Sequence, residues 1–181
     1  MAKQIKDTRR KPIEPSGFLW PLVFGIGILF SLFYVYTSGF GLFSTESHRG
    51  MYFLFTMVLS FLLFRSTKKS KKPKPSVLDV FLAIASIAIL GYWMYTYPSY
   101  AIERIGNPRT ADIVLGALII LLSLEVARRV VGYVLPVLAI LFLLYAYFGP
   151  YVPGMLGHYG FGLDRIFEHI GVGMNGIWGV V

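Results

Sequence analysis

FLWPLVFGIGILFSLFYVY, residues 18–36, is nineteen residues long and carries no charge. As a helix rising 1.5 Å per residue it would extend about 28 Å, close to the thickness of a bilayer's hydrocarbon core. Four more uncharged stretches follow, at residues 50–64, 80–97, 113–124 and 130–148. The basic residues between them alternate in a definite sense. With the N-terminus placed inside, thirteen of the seventeen Lys and Arg residues are internal: Lys3, Lys6, Arg9, Arg10, Lys11, Arg65, Lys68, Lys69, Lys71, Lys72, Lys74, Arg128 and Arg129. The four on the outside are Arg49, Arg104, Arg109 and Arg165. Because Lys and Arg in short loops hold those loops in the cytoplasm, the pattern predicts an all-α membrane protein with five transmembrane helices, N-in and C-out.

The composition agrees. With 56% hydrophobic and 14% charged residues, a chain of 181 residues has too little polar surface to solvate a globule. The net charge of +8 therefore sits beside membrane segments, where it orients helices and meets anionic lipids, and nucleic acid is not an expected partner. The absence of cysteine excludes disulfides, thiolate metal sites and cysteine nucleophiles. Residues 18–36 exceed a signal-peptide h-region and no A-x-A-like cleavage site follows Tyr36, so the segment is expected to remain as an anchor helix.

The spans differ in length. Residues 50–64 lie between Arg49 and Arg65 and give only about 22 Å of helix. Residues 113–124 are fewer still, bounded by Asp112 and Glu125, which favours a helix packed against protein. Its Gly116, Ser123 and Ala127 fall on one face, where small side chains let a neighbouring backbone approach. Asn107 and Pro108 break the chain before it, Thr110 is the expected cap, and Asp112 and Asp79 sit in first turns, where the helix dipole favours a carboxylate. Tyr34 and Tyr36, then Tyr92, Trp93, Tyr95, Tyr97 and Tyr100, then Tyr145, Tyr147 and Tyr151 read as an interfacial aromatic belt. Residues 65–74 form a basic hairpin loop, read first as topology control and second as a docking site for anionic lipid.

After Phe148 a Gly/Pro-rich turn precedes a short amphipathic segment. Leu163, Ile166, Phe167 and Ile170 share one face, and Asp164, Arg165, Glu168 and His169 the other, which predicts a short interfacial amphipathic helix with a solvated polar side. The glycine-rich stretch 171–181 looks like the entrance to a further hydrophobic element.

Chemistry is sparse. Gly171, Gly173 and Gly176 fit a dinucleotide pattern without the strand or the long helix it needs, so no cofactor is expected. His158, Asp164, Glu168 and His169 could ligate a metal in principle, but their spacing and their place on a polar face favour ordinary solvated residues, and no metal site is expected. Glu125 is the only acidic residue between apolar runs. Arg128 and Arg129, three and four positions on, make a structural ion pair the preferred reading over an ion-coupling site. The sequence holds no HExxH and no GxSxG motif, and no enzymatic activity is expected.

The run Leu124-Glu125-Val126-Ala127-Arg128-Arg129-Val130-Val131-Gly132, with Leu135-Pro136, residues 142–154, Gly157-His158-Tyr159-Gly160 and Gly176-Ile177-Trp178-Gly179, resembles the N-terminal part of fused permeases of tripartite ATP-independent periplasmic (TRAP) transporters of the TAXI type. The resemblance extends from about Asp112 to Gly179. It implies a bacterial or archaeal cytoplasmic (inner) membrane and a secondary transporter, in which a periplasmic TAXI-type binding protein delivers an organic acid to a permease driven by sodium or protons. It also implies a division into a basic cytoplasmic N-terminus (1–17), a small four-helix Q-like domain (18–129), a fifth connector helix and turn (130–154), and an interfacial segment with the start of the large M-like transport domain (155–181). The family's substrate and cation sites belong to the large domain, and none maps onto this chain. The resemblance further implies that the small domain is a scaffold bracing the large one. An unrelated small multi-span assembly or interaction protein is the alternative.

Overall fold

The computed structural model describes residues 12–13, 19–41, 44–66 and 75–180. Lys3, Lys6, Arg9, Arg10, Lys11 and the lysines of the basic loop lie outside the described residues, as does Phe18 at the expected start of the first span. The helices are α1 (Leu19–Phe40), α2 (Thr45–Leu63), α3 (Val77–Glu103), α4 (Thr110–Val130) and α5 (Val134–Phe148). Two short 3-10 turns follow, Gly149–Tyr151 and Gly154–Leu156, then α6 (Leu163–Phe167), a π-helical turn (Glu168–Val172) and a last 3-10 turn (Ile177–Val180). Among the described residues there is no strand, only one isolated bridge between Pro12 and Phe64.

Each long helix packs on the next in sequence and runs back along it. The Tyr34 hydroxyl near the end of α1 donates to His48 O near the start of α2 (2.9 Å). Gly50 of α2 lies against Trp93 and Met94 of α3, while Phe64, just after α2, and Asp79, at the start of α3, are both bonded by Arg129 from the end of α4. The bundle therefore has an Arg129 end and a Glu168 end. Between Asp79 and Tyr100 α3 climbs about 31 Å, one hydrocarbon thickness.

Among the described residues, four helices are long and apolar enough to cross a membrane: α1, α3, α4, and α5 continued to Tyr151. The helix α2 is not among them. It is longer than residues 50–64, because Ser44 caps it by accepting the Ser47 N–H and so brings Thr45, Glu46, His48 and Arg49 into the helix, which makes it less apolar. The other expected boundaries also move. Val130 closes α4 rather than opening α5, since Gly132 at φ +102° reverses the chain and α5 starts at Val134. The cap of α4 is the Arg109 backbone, whose N–H is accepted by Asp112 Oδ2, and Thr110 is the first helical residue.

The core collects Met57, Phe61, Leu90, Trp93, Ile119 and Trp178. The aromatic belt is thus only partly realised: Tyr92 and Tyr95 are exposed, but Trp93, Tyr97 and Tyr100 are interior. They point inward because they share one helical face of α3, at spacings of three and four, with Leu90.

Candidate functional site

At the Arg129 end, the last turn of α4 sets Glu125, Arg128 and Arg129 within reach of one another. Glu125 accepts from Arg128 Nε (2.7 Å) and Nη2 (2.6 Å) and from Arg129 Nε (2.8 Å). Arg129 is 0% exposed and extends across the bundle to Asp79 Oδ1 (2.7 Å) and the Phe64 carbonyl (2.9 Å). The other oxygen of Asp79 accepts the Ser76 N–H (2.8 Å), closing the capping box of α3. The Arg129 guanidinium also lies 4.9 Å from the Phe61 ring centroid, where the ring face attracts a cation, and its Nη2 has no hydrogen-bond acceptor. Arg128 reaches outward to the Tyr133 hydroxyl (3.2 Å). Three helix ends are thereby joined by two carboxylates and two guanidinium groups. Asp79 looks in sequence like a dipole-compensating first-turn residue; it is also the far partner of Arg129.

At the Glu168 end, Arg104 Nε donates to Asp112 Oδ2 (3.0 Å), bracing the turn between α3 and α4. Glu168, expected on a solvated face, is 2% exposed. Its Oε1 accepts from the Tyr100 hydroxyl (2.9 Å) and the Gly106 N–H (2.6 Å), and its Oε2 accepts from Arg165 Nη1 (2.8 Å). Burial pushes the Glu168 carboxyl up, but the hydrogen bonds from Gly106, Tyr100 and Arg165 outweigh it and hold the group below the ordinary glutamate value. The π-helical turn that starts at Glu168 thus serves to dock this segment onto α3 and α4. Its apolar side meets protein, with Ile166 and Val172 buried.

The docking continues inward. Trp178 is fully buried and stacks on Trp93 with centroids 3.7 Å apart and planes 10° from parallel. Its indole N–H donates to Gly171 O (2.8 Å), the Trp93 indole N–H donates to Val172 O (3.0 Å), and Arg49 Nη1 donates to Trp178 O (2.8 Å). Gly116 is where this segment crosses α4: a Cβ there would strike the Phe167 carbonyl, and one at Gly171 would strike the Gly116 backbone. Gly176 packs equally tightly on the Ile170 backbone. Two of the three glycines of the dinucleotide-like pattern are therefore close-packing residues.

The small-residue stripe divides. Gly116 is covered by the segment after α6, whereas Ser123 and Ala127 line an apolar crevice of about 390 Å³ between α4 and α5. The Ser123 hydroxyl is bonded to Ile119 O (2.7 Å). His158 is held by Tyr145 O and the Gly160 N–H, away from Glu168. Among the described residues no three His, Cys, Asp or Glu side chains come together in a way that could hold a metal. No protein-family model, no curated protein and no solved structure matches this chain.

Proposed function

We propose that this chain is a membrane scaffold subunit, or part of one, of a TAXI-type TRAP secondary transporter for organic acids, bracing a large elevator-type permease domain. The observation that carries the proposal is the interlock of α4 with the segment after α6. It lies within the same stretch, from Asp112 to Gly179, whose sequence resembles that family, and the interlock makes this stretch a rigid brace. In this account all five long helices cross a bacterial or archaeal cytoplasmic membrane, N-in and C-out. The helix α2 crosses with its polar first turns at the Glu168 end, because it runs beside α3 over the same depth. Glu125 is a structural group, bound to two guanidinium groups, and the transported acid and its coupling ion are handled by the partner domain. A periplasmic TAXI-type binding protein is the second partner, and anionic lipids meet the basic loop.

Co-expression with a large TRAP permease domain tests the proposal. The chain should copurify with that domain and support gradient-driven uptake of an organic acid when the binding protein is added, and reconstituted alone it should support none. Uptake by the chain alone would refute the scaffold role. Failure to associate with any such domain would favour the unrelated assembly protein.

A further inference from the structure

The chain leaves α5 at Gly149, folds back on it and rejoins the bundle at α6. This excursion is tightly built. The N–H groups of Val152 and His158 both donate to Gly149 O (3.2 Å each), that of Gly157 to Gly154 O (3.1 Å), and that of Phe161 to Ala146 O (2.9 Å), while the Tyr145 hydroxyl donates to Leu156 O (2.6 Å). His158 pins the whole. Its Nε2 is 3.1 Å from Tyr145 O and its Nδ1 accepts the Gly160 N–H (3.0 Å), which fits the tautomer protonated on Nε2. Gly149 has no side chain where the His158 ring lies. The outward surface is apolar and aromatic: Met155 and Tyr159 are fully exposed, and Tyr151 and Leu156 mostly so.

Position, charge and bonding agree on what this surface meets. Starting at the Arg129 end, the fifteen residues of α5 climb about 22 Å, against about 31 Å for α3 between the two ion networks. The Phe161–Ala146 bond then brings the chain back toward α5, so the turn lies close to the plane where hydrocarbon gives way to headgroups. From residue 130 to residue 163 there is no Asp, Glu, Lys or Arg. The turn's internal hydrogen bonds lower the cost of removing its backbone from water, as irregular backbone near a bilayer requires. Tyrosines beside aliphatic side chains suit the interface between hydrocarbon and headgroups.

We propose that the 149–161 turn is a membrane-interface anchor that binds the lipid surface at the Glu168 end, with Met155 and Leu156 among acyl chains and Tyr151 and Tyr159 at headgroup level. It fixes the height of α5.

The absence of native cysteine makes a clean test possible. Met155→Cys and Tyr159→Cys in the full chain would each carry a nitroxide, in vesicles of phosphatidylcholine and phosphatidylglycerol, and be compared with Leu141→Cys on the exposed side of α5 and Asn107→Cys in the α3–α4 turn. The readouts are collisional access to oxygen, which partitions into lipid, and to a nickel chelate, which stays in water. The expected result is oxygen access at 155 approaching that at 141, oxygen access at 159 lower than at 155, and nickel access at both below that at 107, most strongly at 155. Nickel access equal to that at 107 would put the turn in water. Low access to both reagents would mean that protein covers it. Either outcome overturns the proposal.

Discussion

At the Arg129 end two carboxylates face two guanidinium groups, all on helices, and three of the four lie within five residues of α4. At the Glu168 end the buried Glu168 carboxylate, beside the Arg104–Asp112 pair, gathers a tyrosine hydroxyl and a backbone N–H from parts of the chain more than sixty residues away and a half-exposed arginine three residues before it. The first network ties helices together. The second ties a short, irregular segment to them, and it needs Trp178 and two close-packing glycines to complete the attachment. Both solve the same problem, because a carboxylate removed from water must be bonded nearly completely, but they respond differently when broken.

The largest effect is expected from Arg129→Ala. It leaves Asp79 buried without its partner and frees the Phe64 carbonyl, so thermal unfolding in detergent should show a loss of about 3 to 5 kcal/mol. Little change would mean that water enters this end and the network is not sealed.

Glu168→Gln should cost less, about 1.5 to 3 kcal/mol, since the amide keeps one acceptor for Tyr100 and Gly106 and loses the charge that holds Arg165. The same residue gives the comparison a pH axis. A carboxyl held below its unfolded value adds stability above that value and loses the contribution as the pH falls through the native pKa. Stability should therefore decline on acidification below the ordinary glutamate value of 4.5, and Glu168→Gln should decline less steeply. Parallel pH curves for the two proteins would remove Glu168 as the cause.

Glu125→Gln should have the smallest effect, about 1 kcal/mol, because Glu125 is a quarter exposed and Arg129 keeps Asp79. Within the proposed transporter assembly, the cation dependence of uptake should be unchanged. A stable variant with altered cation coupling would turn the ion pair into a coupling site.

The same contrast explains what could be read in the sequence. The apolar runs and the i,i+3 and i,i+4 relation of Glu125 to Arg128 and Arg129 are local features, so helices and pairing were visible in the residues alone. Asp79 joins Arg129 only through the antiparallel return of α3 and α4. The polar first turns of α2 hid five residues of helix, because hydropathy ends at Arg49 while the Ser44 cap lies beyond it. The segment after residue 162 was legible as amphipathic, but its polar face holds a buried glutamate. The contacts that bury it come from Tyr100 and Gly106, and no local pattern around Glu168 announces them. Trp178 is likewise placed by Trp93, a partner 85 residues away in a different helix.

In the proposed placement the two networks lie on opposite faces of one membrane, joined by helices that cross it. Single cysteines at Ser70 in the basic loop and at Asn107 in the α3–α4 turn, treated with a membrane-impermeant thiol reagent, test it most directly. Asn107→Cys should label in intact cells and Ser70→Cys only after permeabilisation. Equal labelling of both in intact cells would place the two loops on the same side and contradict the five-helix bundle in its membrane.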